Sequence, residues 1–279
     1  MAYYLYKNEG YKYFFRQRPF CRDILYLDLL HKLFNILFTI LVMQNDDSFA
    51  DVDVGSIIDE YLNEESRPKT IGAYYPSEIG MCMRRSYYSY FIAKPTETSA
   101  LRIFALGNNV HEFIAKALKE SSTLAVAEEE KPIRINYQDE NTKFTIYGRI
   151  DDYIETKTGK KIIIEAKSTG DITKVNEPDP KHKMQISLYL AAQKADYGLL
   201  VYADKKNLEI KQFKVEYNEE EYKKVMQRFK DLDYHLRNKI LPPAEYYFDN
   251  KKVWECKYCP YYKECMQALA DSNSLENYQ

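Results

Sequence analysis

Two acidic residues and a lysine lie at corresponding places in two neighbouring segments with β-strand composition. Asp151 belongs to the first segment, and Glu165 and Lys167 follow a run of three isoleucines in the second. A polar turn containing Gly159 joins the segments, which predicts a hairpin. Because side chains alternate along a strand, Glu165 and Lys167 point the same way. Charges beside a buried apolar run are costly unless they are paired. A divalent cation held by Asp151 and Glu165, with Lys167 beside a substrate anion, would provide that pairing.

The ligand chemistry of this hairpin favours a hard cation. Carboxylate oxygens suit Mg²⁺ and Mn²⁺, which keep positions free for water and a phosphate oxygen. Such an ion activates water for attack on phosphorus, and Lys167 would orient that water or neutralise the developing charge. An ordinary hairpin with surface charges is the alternative. Asp152 points away from the face of Asp151, so we assign the metal to Asp151 and a structural or solvent-facing role to Asp152, unless a bulge shifts the register.

The surrounding segments predict a mixed sheet with helices beside it. Residues 132–137, 143–155 and 160–167 have the composition of three consecutive antiparallel strands. A helix at 180–194 leads to a buried strand at 197–203, and this helical crossover predicts that the strand is parallel to an earlier one. The other predicted elements are a helix starting at Pro76 with Ser77 as its cap, a helix at 99–120, a strand at 208–217 and a charged helix at 218–239. This order predicts the α/β class.

Two of these helices bear further candidate side chains. His111 lies on or beside the apolar stripe of the helix at 99–120, so a core histidine is the simplest interpretation of that helix alone. Gln185 and Tyr189 lie four positions apart on the helix at 180–194 and therefore share a face.

Length and composition describe a globular chain without a basic signature. The 279 residues suffice for one large domain or for a domain with a satellite, and 45% hydrophobic and 29% charged residues are typical of a folded protein. The net charge is −2, so nucleic-acid binding would depend on local patches. Charged residues interrupt the apolar run at 24–43, which predicts a partly buried helix rather than a membrane span. Translation from Met43 is an alternative. We expect a cytoplasmic protein, because the N-terminal sequence lacks the pattern of a secretory signal.

Three closely spaced cysteines near the C-terminus predict a metal site. Cys256, Cys259 and Cys265 form a Cys-x₂-Cys-x₅-Cys pattern, and Cys82 is by position the fourth partner. In the cytosol such clusters are more often metal ligands than disulfides. The spacing suits an iron–sulfur cluster, either [4Fe–4S] or [2Fe–2S], and also a Cys₄ zinc site. Cys21 lies apart from this set and is predicted to be a free thiol.

Taken together, these motifs resemble a known nuclease family. Residues 148–151, 165–167 and 185–189 are similar to the Gly-x-x-Asp, Glu-x-Lys and Gln-x-x-x-Tyr motifs of RecB-type nucleases, and residues 107–111 match the upstream histidine motif of that group. These enzymes belong to the PD-(D/E)xK, restriction-endonuclease-like superfamily. One cysteine before the motifs and three after them resemble its iron–sulfur members. The size of the chain and the Arg84-Arg85 segment after Cys82 are similar to the CRISPR-associated "Cas-four" exonucleases.

The resemblance implies an α/β fold with a restriction-endonuclease-like mixed central sheet flanked by helices and closed by a C-terminal iron–sulfur region. The metal ligands for Mn²⁺ or Mg²⁺ would be His111, Asp151, Glu165 and the backbone carbonyl of Ala166. Lys167 would be the catalytic lysine, assisted by Gln185 and Tyr189. A [4Fe–4S] cluster would be bound by Cys82, Cys256, Cys259 and Cys265. The residues that contact DNA would be Arg84, Arg85 and Tyr189.

The implied function is that of a metal-dependent DNA exonuclease acting on single-stranded DNA or DNA ends. Its expected role is spacer acquisition, with CRISPR integrase proteins as partners and no membrane; a homo-oligomer stays open. Alternatives are a viral, repair or recombination nuclease and a DNA-end-binding subunit of a larger complex. The expected domains are an N-terminal extension at 1–50, the nuclease domain at 51–240 and the cysteine-rich tail at 241–279.

Overall fold

A six-stranded mixed sheet forms the centre of the part of the chain that the computed structural model describes, which comprises residues 33–34, 36–37, 52–63 and 68–276. The strands are β1 (Ala73–Tyr74), β2 (Leu124–Gln138), β3 (Lys143–Thr156), β4 (Lys161–Thr169), β5 (Tyr197–Asp204) and β6 (Ile210–Val215). Their order is β1-β3-β4-β5-β6, and β2 pairs with the long β3 as well.

The pairing of the strands confirms the predicted mixed sheet. β2, β3 and β4 are consecutive and antiparallel, and β5 runs parallel to β4 after the helical crossover. β6 is antiparallel to β5, whereas the short β1 is parallel to β3. The long β3 therefore contacts three strands, with β1 along its first half and β4 along its second.

The helices of the described ranges are α1 (Val54–Leu62), α2 (Pro76–Ile79), α3 (Met83–Phe91), α4 (Thr98–Lys119), α5 (Pro180–Gln193), α6 (Glu219–Asn238), α7 (Glu245–Phe248) and α8 (Tyr262–Glu276). Of these, α4, α5 and α6 pack against the sheet. The chain divides into units 1–57 and 58–279, and the second contains the whole sheet. Of the helices in the described ranges, none is long and apolar enough to cross a membrane. The predictions for Cys21, for translation from Met43 and for most of the apolar run at 24–43 lie outside the described residues.

The two faces of β4 pack against different helices. Ile163 belongs to a buried cluster with Ile186 and Leu190 of α5, whereas Ile162 and Ile164 contact the apolar side of α4. Because side chains alternate along a strand, Glu165 and Lys167 lie on the α5 side. The isoleucine run therefore determines which helix the charged residues face.

The helix predicted to start at Pro76 is interrupted, which the sequence did not indicate. Pro76 does occupy the first turn of α2, but the residue before it, Tyr75, is the cap and Ser77 is not. At the break, Gly80 lies so close to α5 that an added Cβ would meet the Cβ of Lys181 at 2.2 Å. Arg228 of α6 donates to the backbone carbonyls of Ile79 and Met81 at 3.0 and 3.1 Å, which satisfies acceptors freed by the break.

Candidate active site and cysteine pocket

The candidate active site lies where β3 and β4 separate. Their antiparallel register ends at the pair Asp152 and Ile164, so Asp151 and Glu165 are the first residues beyond it. The backbone N–H of Ala166 donates to Asp151 Oδ2 at 2.9 Å in place of a strand partner. Where the strands diverge, the Asp151 carboxylate therefore accepts the backbone N–H that follows Glu165. Whether the carbonyl of Ala166 binds a metal stays a prediction.

Glu165 is the most deeply buried acid of this site. Its side chain is 0% exposed; Lys167 Nζ donates to Oε1, and Oε2 has no hydrogen-bond partner among the described residues. Burial raises the pKa of Glu165 to about 8, and the neighbouring Asp151 adds to the rise, while Lys167 opposes it. Burial also raises the pKa of Asp151, despite the opposing effects of Lys167 and His111. Two carboxylates with raised pKa values and an unpaired oxygen indicate a site built for additional positive charge.

His111 reaches the same site from α4. Its Nδ1 lies 3.7 Å from Asp151 Oδ2, and its side chain is 32% exposed, so the interpretation as a buried core histidine is wrong. Asp152 lies on the opposite side of β3 and is only 3% exposed, so the solvent-facing alternative is wrong as well. Burial, together with the charges of Asp151 and Glu129, raises the pKa of Asp152 to about 7.

The residues present fit a hard divalent cation by their chemistry: two carboxylates, one imidazole and an unpaired buried oxygen. As placed, no three His, Cys, Asp or Glu side chains within the described ranges are grouped closely enough to hold a metal ion. His111, Asp151 and Glu165 as metal ligands therefore stay a prediction.

Cation affinity at this site is expected to rise with pH up to about 8. Glu165, whose pKa is raised to about 8, is protonated below that pH and must lose its proton when a cation binds. Each displaced proton makes affinity about tenfold stronger per pH unit below the pKa. Titration calorimetry with Mn²⁺ at pH 6, 7, 8 and 9, in buffers of different ionisation enthalpy, measures the affinity and the number of protons released. Glu165→Gln, which has no such proton to lose, is the control. Binding at pH 7 without proton release from the unaltered protein would contradict the prediction.

Gln185 and Tyr189 form a buried hydrogen-bonded pair near the acids. Gln185 Nε2 donates to the Tyr189 hydroxyl at 3.1 Å, and the backbone amide of Arg149 also bonds this hydroxyl. Burial, with Glu165 nearby, raises the pKa of Tyr189. Tyr189 is only 2% exposed, so it lies in the core and not on a surface that DNA could contact as predicted.

Gly148 leaves room for this support. A Cβ at this position would lie 2.8 Å from Pro76 Cγ, 3.0 Å from Ile133 Cγ1 and 3.1 Å from Tyr189 Cε1. We expect Gly148→Ala to lower the free energy of unfolding by about 1–3 kcal/mol, because the crowded core must shift. Urea denaturation measures the change. Gly170→Ala is the matched control, because nothing lies within 4 Å of a Cβ built there. Equal stability of both variants would show that the site tolerates the methyl group.

The four predicted cysteines line one pocket between α3 and the C-terminal tail. All four are free thiols, which fits the soft donor set that iron–sulfur clusters and zinc require. Burial raises the pKa of Cys256 and of Cys259, and the neighbouring cysteines add to both rises. A cationic centre would reverse this effect by favouring the thiolates.

Arg84 belongs to this pocket and not to a DNA-binding surface. Its side chain is buried, Nε donates to the Pro242 carbonyl at 2.7 Å, and one terminal nitrogen lies 3.6 Å from Cys265 Sγ. The predicted contact between Arg84 and DNA phosphates therefore needs correction, because this guanidinium has no free access to them. Arg85 is half-buried, and its charge acts on Cys259; its predicted contact with DNA stays a prediction.

Protein contacts alone join the tail to α3. Glu245 accepts from the backbone N–H of Met83 at 2.7 Å and pairs with Arg228 at 2.9 Å. Lys94 donates to the Pro260 carbonyl at 2.7 Å, and the Tyr261 hydroxyl donates to the Ile92 carbonyl at 3.1 Å. Hydrogen bonds therefore hold the tail at one place before its three cysteines and at another between the second and the third.

Sequence reasoning missed a second polar group beside Lys167. His182, Tyr202 and Asp179 are hydrogen-bonded to one another at the start of α5. The available signal was the position of His182 three residues before Gln185, in the same first half of the helix.

Comparisons with known proteins find similar nucleases. Residues 104–266 match the model of the PD-(D/E)XK nuclease superfamily. The CRISPR-associated exonuclease Cas4 of Saccharolobus solfataricus is 27% identical over 216 residues, which cover 76% of this chain and 95% of that protein. The crystal structure of SSO0001 is 24% identical with a TM-score of 0.56, over 75% of this chain and 94% of that one, which shows a shared fold. An alkaline exonuclease from Laribacter hongkongensis is 15% identical with a TM-score of 0.44, over 61% and 90% of the two chains.

Proposed function

Since the chain belongs to the PD-(D/E)XK nuclease superfamily, is related to the Cas4 exonucleases and is itself a nuclease, we propose that it is a metal-dependent DNA exonuclease acting on single-stranded DNA or DNA ends. The observation that supports the metal dependence most directly is Glu165, a fully buried acid with one unpaired oxygen beside Asp151 and Lys167. Burying an acid with an unpaired oxygen lowers the stability of the fold, so its presence indicates a functional role.

In this proposal the residues divide the work of phosphodiester hydrolysis. Asp151, Glu165 and His111 would hold Mn²⁺ or Mg²⁺, which supplies Lewis acidity toward a phosphate oxygen and an activated water. Lys167, paired with Glu165 and 22% exposed, orients the attacking water and stabilises negative charge that develops on the phosphate. Gln185 and Tyr189, bonded to each other near the acids, and the apolar core of α5 would exclude water from that side.

The cysteine pocket is proposed to hold a [4Fe–4S] cluster. Cys82 comes from the break between α2 and α3, whereas the other three cysteines come from the tail. Arg84, 3.6 Å from Cys265 Sγ, supplies positive charge that offsets thiolate ligands. A cluster here would join the first helices to the tail and hold Glu255, next to Cys256, in its contact with Lys181 of α5 at 3.9 Å. The pocket and the nuclease site are connected through α5 in this way.

The proposed biological role is spacer acquisition in CRISPR adaptation, with integrase proteins as partners. Its support is the 27% identity to a protein named CRISPR-associated exonuclease Cas4, across 95% of that relative. DNA is the expected substrate, and its phosphates match the cation and lysine of the site.

The test compares linear single-stranded DNA with a covalently closed circle of the same sequence, in Mn²⁺, in Mg²⁺ and in EDTA. An exonuclease degrades the linear strand, spares the circle and stops in EDTA. Degradation of both forms at equal rates would assign an endonuclease instead, and cleavage that persists in EDTA would overturn the metal dependence.

A further inference from the structure

His182 is held next to the catalytic lysine by a strand neighbour. Tyr202 of β5 is in register with Lys167 of β4, so the two side chains lie side by side on the face covered by α5. The Tyr202 hydroxyl lies 2.8 Å from His182 Nδ1, and the two rings are 5.7 Å apart. The imidazole therefore belongs to the same surface as the predicted catalytic groups.

One tautomer of His182 gives every group around Tyr202 a partner. The backbone N–H of Asp179 donates to the Tyr202 hydroxyl at 3.0 Å, and within the described residues His182 Nδ1 is the acceptor in reach of the hydroxyl proton. We assign the proton to this bond, which makes Nδ1 the acceptor and leaves the ring proton on Nε2. Across the described ranges, His182 makes no other side-chain hydrogen bond, and the residue is only partly buried.

The surroundings of His182 keep its imidazole neutral. Burial and the charges of Lys167, Lys181 and Lys252 lower the pKa of His182 to about 3, and Asp179 opposes them, so the ring carries no charge at neutral pH. These lysines are paired with the carboxylates Glu165, Asp179 and Glu255. A neutral N–H among these ion pairs can donate to a phosphate oxygen without adding a further charge.

We propose that His182 is a DNA-binding residue whose Nε2–H, oriented by Tyr202, donates a hydrogen bond to a phosphate oxygen next to Lys167. This inference rests on the proposed nuclease function and adds a contact that the motif residues do not provide. Because the donor is neutral, it contributes to DNA affinity without contributing to its salt dependence.

Two matched variants separate this role from a structural one. Gln places an amide N–H₂ near the position of Nε2, so His182→Gln keeps the donor. Asn reaches only the position of Nδ1, so His182→Asn keeps a partner for Tyr202 but loses the donor. Fluorescence anisotropy in Ca²⁺ measures the affinity for a labelled single-stranded DNA between 50 and 300 mM salt. Digestion in Mn²⁺ gives KM and kcat, and thermal unfolding gives the stability of each variant.

We expect His182→Asn to weaken DNA affinity and raise KM by about tenfold, with little change in kcat or stability, and His182→Gln to retain most of the affinity. The slope of log affinity against log salt should equal that of the unaltered protein. A fall in that slope of about 0.7 would show a charged contact and overturn the neutral-donor assignment. Equal affinity and KM of the unaltered protein and His182→Asn would overturn the contact itself. An unaltered protein that neither binds nor cleaves DNA would overturn the proposed function along with it.

Discussion

Lys167→Ala is expected to reduce cleavage of linear single-stranded DNA by about 100- to 1,000-fold, the typical effect of removing one positioned donor from a charge-stabilising site. Lys167 is the cation bonded to Glu165, and its charge also acts on Asp151. Without Lys167, its ammonium group no longer stabilises the negative charge that develops on the phosphate during hydrolysis. The loss should appear in kcat, because this interaction strengthens as the reaction proceeds. Single-turnover digestion of an end-labelled strand in Mn²⁺ measures it.

Lys161→Ala is the matched control for this experiment. Lys161 lies at the other end of β4, on its exposed tip, so its loss removes the same number of charges from the same strand. The Lys161→Ala variant should cleave DNA at the rate of the unaltered protein. The Lys167→Ala protein itself should stay folded, because the buried carboxyl of Glu165 can remain protonated when its partner is removed. Full activity in a Lys167→Ala preparation free of contaminating nuclease would exclude the catalytic assignment.

The hairpin could be predicted from sequence because local rules determine it. The isoleucine run before Glu165 specifies a buried strand, and strict alternation then places Glu165 and Lys167 on one face. The same rule separates Asp151 from Asp152. It does not predict how deep each residue lies, and the 3% exposure of Asp152 depends on α4, which packs over it from a distant part of the chain.

The features that were missed depend on tertiary contacts with no local signal. The break after α2 exists because Gly80 contacts Lys181 of α5, and a helical pattern from Pro76 onward does not reveal that approach. Arg84 looked like a surface residue from its neighbours, but the tail folds over it and supplies the Pro242 carbonyl. His182 lacks a motif of its own, and its position depends on Tyr202 in another strand. Local sequence patterns therefore predict the acids and the cysteines, whereas the residues that contact them can be identified only from the tertiary structure.

Cys256→Ser and Cys82→Ser are each expected to abolish iron binding, with loss of the brown colour and of the visible absorption that an iron–sulfur centre gives. The two cysteines come from opposite ends of the fold and line one pocket, so a centre that needs all four thiolates cannot form without either. Iron and acid-labile sulfide analysis of anaerobically purified protein should fall from about four atoms per chain to near zero. Cys21→Ser is the control and should keep the full iron content.

Loss of the iron–sulfur centre in these variants should change the structure of the tail only. The contacts of Lys94 with the Pro260 carbonyl and of Tyr261 with Ile92 involve no cysteine, so we expect them to hold and the central sheet to remain folded. The tail loses a covalent link across its middle, however, and limited proteolysis should cut it faster between residues 249 and 262 than in the unaltered protein. Stoichiometric zinc in a colourless, active protein would replace the iron–sulfur assignment with a Cys₄ zinc site. Retention of iron by Cys82→Ser would instead show that the tail cysteines bind it without Cys82, and hydrogen bonds such as those of Arg84 and Glu245 would then hold α3 to the tail.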